Sequence, residues 1–313
     1  MASQATQNSV AKLKVEGQYT DFTKPESLTT RALRRLRRDS LTLLAIGVLL
    51  FMVVMALLAP VFESSLGVSY TAVNTGKTFL TYGSYPHVLG TDDLGRDHFA
   101  RLLYAGRVSL SIAGLAALLS LAIGVALGMI TGYYGGIIDD LMNWFIATLT
   151  SIPSLFLLLI ISALFLRQST DSGVVPLILV LGFLGWTGTA RLVRGETLSL
   201  RERDYVIAAR SMGAGAIRLM FVHILPNLFS VIIITLMIDV GALILTEATL
   251  SFLGLGVKPP EPTWGNMLQA AREYFNRGVH LVIMPGLLIF ITVLCLYVIG
   301  DGLRDAFDPT SKD

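Results

Sequence analysis

The chain has 313 residues, 53% of them hydrophobic and 15% charged, with a formal net charge of +2. Soluble domains carry about 25% charged residues, so this composition excludes a soluble globular protein, and so small a net charge offers nothing to a nucleic-acid partner. The apolar residues fall in long blocks, as membrane-crossing helices require and a soluble core does not. The lone cysteine, Cys295, sits inside such a block, so no disulfide framework can be read within the chain.

Residues 1–39 read as a cytoplasmic tail, polar up to Thr30 and then a short basic helix with Arg31, Arg34, Arg35, Arg37 and Arg38. Ser27 or Thr29 is placed to cap that helix. Its charge anchors the next segment on the inner side of a membrane. Residues 40–62 carry no charge and form the first expected crossing. The run is too long for a signal-peptide core and reads as an uncleaved anchor. Residues 63–107 follow as an external loop. The core, 108–303, holds the second to sixth crossings, with apolar runs at 108–138, 141–166, 172–190, 227–253 and 281–300. Residues 304–313 form a second cytoplasmic tail.

Orientation follows from the arginines. Residues 191–227 carry Arg191, Arg194, Arg201, Arg203, Arg210 and Arg218 and belong on the same side as the basic tail. Four expected crossings separate the two basic segments, and an even number returns the chain to its starting side. Both termini are then cytoplasmic. Within the second crossing, Gly124, Gly128 and Gly132 recur every fourth residue and offer one face for close helix packing. Pro153 predicts a kink in the third. Asp239 and Glu247 interrupt the fifth, eight residues apart, which leaves them within roughly 80° around a helix. Intramembrane carboxyl groups face protein or water rather than lipid. One reading has the pair lining a translocation path and meeting a peptide's amino group; the other has them bonded to a neighbouring helix.

Several patterns imitate chemistry without completing it. Gly90 to Asp97 reads Gly-Thr-Asp-Asp-Leu-Gly-Arg-Asp, with P-loop glycine spacing. Arg96 and Asp97 stand where a phosphate-binding loop needs Lys and Ser or Thr. Asp92, Asp93 and Asp97 lack calcium-loop spacing, and Arg96 and Arg101 nearby point to a salt-bridge and turn network instead. His87, His98, His223 and His280 show no metal-ligand spacing. No nucleophile is paired with a base, so the sequence reads as a non-enzyme with no catalytic residue, metal or cofactor of its own.

The segment from Glu202 to Asn227 is the most informative. Asp204 is placed to cap a helix running through Ala208 and Ala209, and Gly213 to end it. A second helix is expected from about Ala214 to Val222, before Pro226 and the next crossing. Small residues on a short cytoplasmic helix let it enter a groove on another protein. Ala208, Ala209, Gly213, Leu225 and Pro226 resemble the coupling loop of permease subunits in ATP-binding-cassette (ABC) importers. Ile207 stands where that family often has glutamate, and His223 where it has isoleucine. Three further segments extend the likeness. They are the stretch from His87 to Leu110, the stretch from Leu250 to Leu268 with Trp264-Gly265-Asn266, and Ile299-Gly-Asp-Gly-Leu-Arg-Asp-Ala-Phe-Asp-Pro309. Together they resemble the C-type permease subunit of dipeptide and oligopeptide importers.

The resemblance implies an all-α, six-crossing permease of the type I ABC importer fold in a prokaryotic cytoplasmic membrane. It implies a homologous B-type permease, two ATPase subunits that bind ATP and Mg, and an extracytoplasmic solute-binding protein. The implied cargo is peptide, with nickel, glutathione or oligosaccharides as alternatives for the same machine. A stand-alone secondary transporter or channel is the rival class.

Overall fold

The computed structural model describes residues 28–168 and 172–307. The expected tail before residue 28 with its Ser27 cap, residues 308–313, and the side chains of Thr29 and Arg31 lie outside the described residues. The described chain is helical. Its helices are α1 (Leu28–Leu36), α2 (Ser40–Leu57), α3 (Ala59–Leu66), α4 (His98–Tyr134), α5 (Gly136–Thr150), α6 (Ser154–Gln168), α7 (Val174–Arg201), α8 (Asp204–Ser211), α9 (Ala216–Phe252), α10 (Trp264–Ala271) and α11 (Val279–Phe307). Five of these are long and apolar enough to cross a membrane, and the bent pair α5–α6 makes a sixth span if counted as one.

Side chains at the helix starts fix where each helix begins. Asp39 accepts from the Leu41 amide and the Thr42 hydroxyl ahead of α2. Asp97 accepts from the Ala100 amide at 2.7 Å ahead of α4 and also meets His87 Nδ1 at 2.9 Å. Thr263 and Asn266 form a reciprocal capping box at α10. Each cap satisfies amides that the first turn leaves without a helical partner.

The largest helix contact joins α4 to α7. The two run in the same direction, because successive contacts climb both chains together. Gly124 lies against Thr189 and the Trp186 carbonyl, Gly128 against Ala190, Val193 and Arg194, and Gly132 against Thr197. A Cβ built on Gly124 would stand 2.7 Å from the Thr189 Cβ, so only glycine fits. On the other side Gly182 approaches Leu119, and Gly185 approaches Ser120. Helix α9 packs on α4 and α11, α2 on α4 and α11, and α1 on α11. The core where they meet contains Ile112, Ala116, Leu181, Ile244, Leu250 and Trp264.

Three segments depart from the sequence expectation. The third crossing is broken rather than kinked: α5 and α6 meet at 80°. Pro153 supplies no amide at the break, and the hydroxyls of Thr148, Thr150 and Ser151 bond back to preceding carbonyls, which bends a helix further. Helix α7 continues to Arg201, past the end of its apolar run at Ala190, because its arginines find partners along the way. Helix α9 begins at Ala216 and runs through Pro226 without stopping. Residues Leu219–Ile224 form a π-helical turn just before that proline, and the wider turn accommodates the missing donor. The segment between α9 and α11 contains α10 and the short turn Arg272–Tyr274.

Residues 67–97 form a cap over the His98 end of α4. Asp92 accepts from the amides of Leu94 and Arg96 and from Arg96 Nε at 2.7 Å. Arg101 reaches the same carboxyl at 3.4 Å and donates to the Tyr70 carbonyl at 3.1 Å. Tyr104 donates to Glu63 at 2.7 Å and stacks on Tyr70. Burial and the adjacent Asp92 push the Asp93 carboxyl above the usual carboxylate range.

The packing yields a direct test. Gly128→Leu drives a side chain into α7 and is expected to cost about 1–3 kcal/mol, read as a lower unfolding temperature in detergent. Gly114→Leu, where a Cβ meets nothing within 4 Å, is expected to leave that temperature unchanged. Equal effects contradict the close packing.

Candidate functional site

Helix α8 and the turn that follows it make the first element of the site. Arg203, in extended conformation, is the N-cap residue, so Asp204 opens the helix instead of capping it, and the cap has no side-chain bond. Asp204 in the first turn still complements the positive end of the helix dipole. At the other end Gly213 adopts φ 87°. Its amide bonds the Arg210 carbonyl at 2.9 Å, and the Ala214 amide bonds the Ala209 carbonyl at 3.1 Å. This is the Schellman closure, which needs a left-handed residue at the position of Gly213.

One face of α8 is held by the rest of the chain. Val206 and Ala209 are buried against Met129, Val193, Leu219, Met220, Ile224 and Leu228. The opposite face is open. Ala208 is exposed, as are Tyr205 and Ile207, Met212 is 83% exposed and Ile217 71% exposed. Ala208 and Ala209, adjacent in sequence, therefore do different things: Ala209 seats the helix and Ala208 faces outward. Leu225 is half-buried and Pro226 exposed at the head of the crossing that follows. Arg203 and Arg218 flank this apolar face with charge, which suits a water-facing contact surface rather than lipid, whereas Arg210 turns toward the Tyr133 ring of α4.

The two intramembrane carboxyl groups, expected on one face, have separate environments. Glu247 is fully buried. It accepts from Ser109 on α4 at 3.1 Å and from Ser251 at 2.7 Å. Ser109 in turn accepts from the Trp264 amide at 3.2 Å, and the Trp264 indole donates to the Leu102 carbonyl at 3.2 Å. Thr263 lies 3.5 Å from the Ser251 hydroxyl. Glu247 thus faces neighbouring helices within this chain. Asp239 is half-buried and accepts from Thr189 on α7 at 3.0 Å. A cavity of about 680 Å³ opens between α7, α9 and α11, with Glu196, Thr235, Ile238, Tyr297, Asp301 and Arg304 in its wall. Asp239 follows Thr235 by one helical turn.

Sequence reasoning did not find Ser109, Thr189 or Trp264 as partners of these groups. Ser109 and Glu247 are separated by 138 residues, and no local period connects them. Among the described residues no group of three His, Cys, Asp or Glu side chains converges as a metal site.

Comparison with known proteins gives this architecture its class. The family described as "Binding-protein-dependent transport system inner membrane component" matches residues 124–313, and "N-terminal TM domain of oligopeptide transport permease C" matches residues 27–72. The dipeptide transport system permease protein DppC of Alkalihalophilus pseudofirmus is 36% identical over 298 residues, covering 95% of this chain and 93% of that protein. The oligopeptide transport system permease protein OppC of Bacillus subtilis is 36% identical over 283 residues, 90% of each chain. The glutathione transport system permease protein GsiD of Pectobacterium atrosepticum is 41% identical over 229 residues, covering 73% and 74%. The chain belongs to the binding-protein-dependent transport system inner membrane component family. It is a multi-pass membrane permease whose family works with ATPase and solute-binding partners, and ATP hydrolysis takes place in the ATPase partners.

The buried knot around Glu247 is testable. Glu247→Leu strands the Ser109 and Ser251 hydroxyls and is expected to destabilise the protein by about 1–3 kcal/mol. Glu247→Gln, which keeps an acceptor in place, is expected to cost less. Thermal unfolding of the two variants checks the order, and a Leu variant as stable as the parent contradicts it.

Proposed function

We propose that this chain is one permease half of an ATP-driven importer of short peptides in a prokaryotic cytoplasmic membrane, with both termini inside. A homologous B-type permease completes the pathway. Two ATPase subunits dock from the cytoplasm, and an external binding protein delivers the cargo. The observation that carries this reading is α8: a short helix fixed by Val206 and Ala209 on one face, with Ala208, Ile207 and Met212 outward on the other. Exposed Ile207 makes the docking face apolar rather than acidic. The peptide cargo rests on the dipeptide and oligopeptide relatives, and glutathione is the second reading because a relative at 41% identity carries that name.

The mechanism follows from two-state access. ATP binding closes the ATPases, the segment from Asp204 to Pro226 moves with them, and the helices rock between inward and outward openings. The cavity walled by Thr235 and Ile238 forms part of the inner path, and Asp239, next in sequence to Ile238, is the carboxyl group that meets a peptide's ammonium along it. Glu247 serves the packing of the outer half.

Docking predicts that Ala208→Glu combined with Met212→Asp removes the ATPase from complexes purified through a tag on this chain, while thermal stability is kept. Undiminished co-purification contradicts the assignment. For the path, Asp239→Asn is expected to raise the concentration of labelled dipeptide needed for half-maximal uptake by about tenfold, the loss of one charge-assisted bond. Unchanged kinetics remove Asp239 from a substrate role. Labelled dipeptide and labelled glutathione compared in the same vesicles separate the two cargo readings.

A further inference from the structure

The docking helix is attached to more than the two helices that flank it in sequence. Arg201, the last residue of α7, donates from Nη1 to the carbonyls of Gly132 and Tyr133 at 3.1 and 3.2 Å. These belong to the last turn of α4, whose carbonyls lack helical partners and whose end carries the negative pole of the helix dipole. A guanidinium answers both needs. Arg210 of α8 stands over the Tyr133 ring, 5.7 Å from its centroid, within cation–π range. Met129, one turn earlier on α4, packs in the cluster with Val206 and Ala209. Beyond the end of α4, Arg194 of α7 forms an ion pair with Asp139 of α5.

Two routes therefore lead from α8 into the membrane. The chain itself continues into α9, but through the π-helical turn Leu219–Ile224 and Pro226. The non-covalent route enters α4, which runs from His98 to Tyr134 without a proline or a break. At 37 residues, α4 is about 55 Å long, well beyond the roughly 30 Å of a hydrocarbon core. Its far end holds Arg101, Tyr104 and Ser109, which bind the Tyr70 carbonyl, Glu63 and Glu247. One rigid helix thus connects the docking helix with the outer cap.

Building on the docking function proposed above, we propose that Arg201 and Arg210, acting on the Tyr133 turn, are the positioning residues that transmit movement of α8 to α4 and through it to the outer cap. Neither touches cargo or nucleotide. Their loss disconnects the two ends of the machine while leaving each end intact.

The test uses the whole complex, purified through a tag on this chain and reconstituted in liposomes with MgATP. Hydrolysis is measured with and without the binding protein that stimulates the parent complex. Arg201→Ala and Arg210→Ala are expected to retain the ATPase and the basal rate, and each to lose about fivefold or more of the stimulation, the lower end of ordinary coupling energies. Arg201→Lys is expected to recover part of it, since an ammonium can donate to both carbonyls. Tyr133→Phe is expected to match the parent, because ring face and carbonyl remain. A merely structural role would lower thermal stability and basal hydrolysis together. Should Arg201→Ala fail to assemble, Arg210→Ala decides alone, since Arg210 is exposed. Full stimulation in Arg210→Ala, or in an assembled Arg201→Ala, overturns the relay. Absence of any ATPase from the parent complex overturns the docking function itself.

Discussion

The close approach of α4 and α7 is the contact from which the other helices take their places. Glycines at 124, 128 and 132 on one helix and at 182 and 185 on the other remove the side chains that would hold the backbones apart. In lipid there is no water-driven gain from burying one apolar face against another, so association depends on such intimate packing and on polar bonds between helices. With the two helices set in parallel, Arg194 and Arg201 emerge beside the Tyr134 end of α4, where Asp139 and the last-turn carbonyls accept from them. Helix α8 then has a floor to rest on. At the other end the same helix presents Ser109 to Glu247 and Trp264.

The second principle at work is that polar groups within a membrane must find partners inside the protein. Glu247 is the extreme case, enclosed by hydroxyls supplied from α4 and from its own helix. Breaking one partner of such a knot costs more than the knot contributes when complete. That asymmetry makes it a device for fixing one arrangement of α4, α9 and α10. Asp239, half-buried with a bond to Thr189, is the less enclosed carboxyl.

The apolar runs and the short helix ended by Gly213 were legible, because each is written in local composition or in a residue with one conformational use. Gly213 does take the left-handed conformation expected of it. Less was legible where distant residues decide. Pro153 signalled a disturbance but not an 80° break, since the extent depends on three hydroxyls turning back on the helix. The continuation of α7 past the apolar run that ends at Ala190 was not legible, because the partners of its arginines lie on α4 and α5. Ala208 and Ala209 are indistinguishable as letters, and only the packing of α8 shows which one faces outward. The separate surroundings of Asp239 and Glu247 were likewise hidden, for helical spacing places both on one broad face without naming their neighbours.

The central claim is that the open face of α8 meets an ATPase on the cytoplasmic side. The most direct measurement places a photo-reactive amino acid at Met212, which is 83% exposed, and irradiates intact cells. The account predicts a covalent adduct with a cytoplasmic ATP-hydrolysing protein, and no such adduct from the same probe at Tyr85 in the 67–97 cap. An adduct of position 212 with an external protein, or with lipid alone, would contradict it.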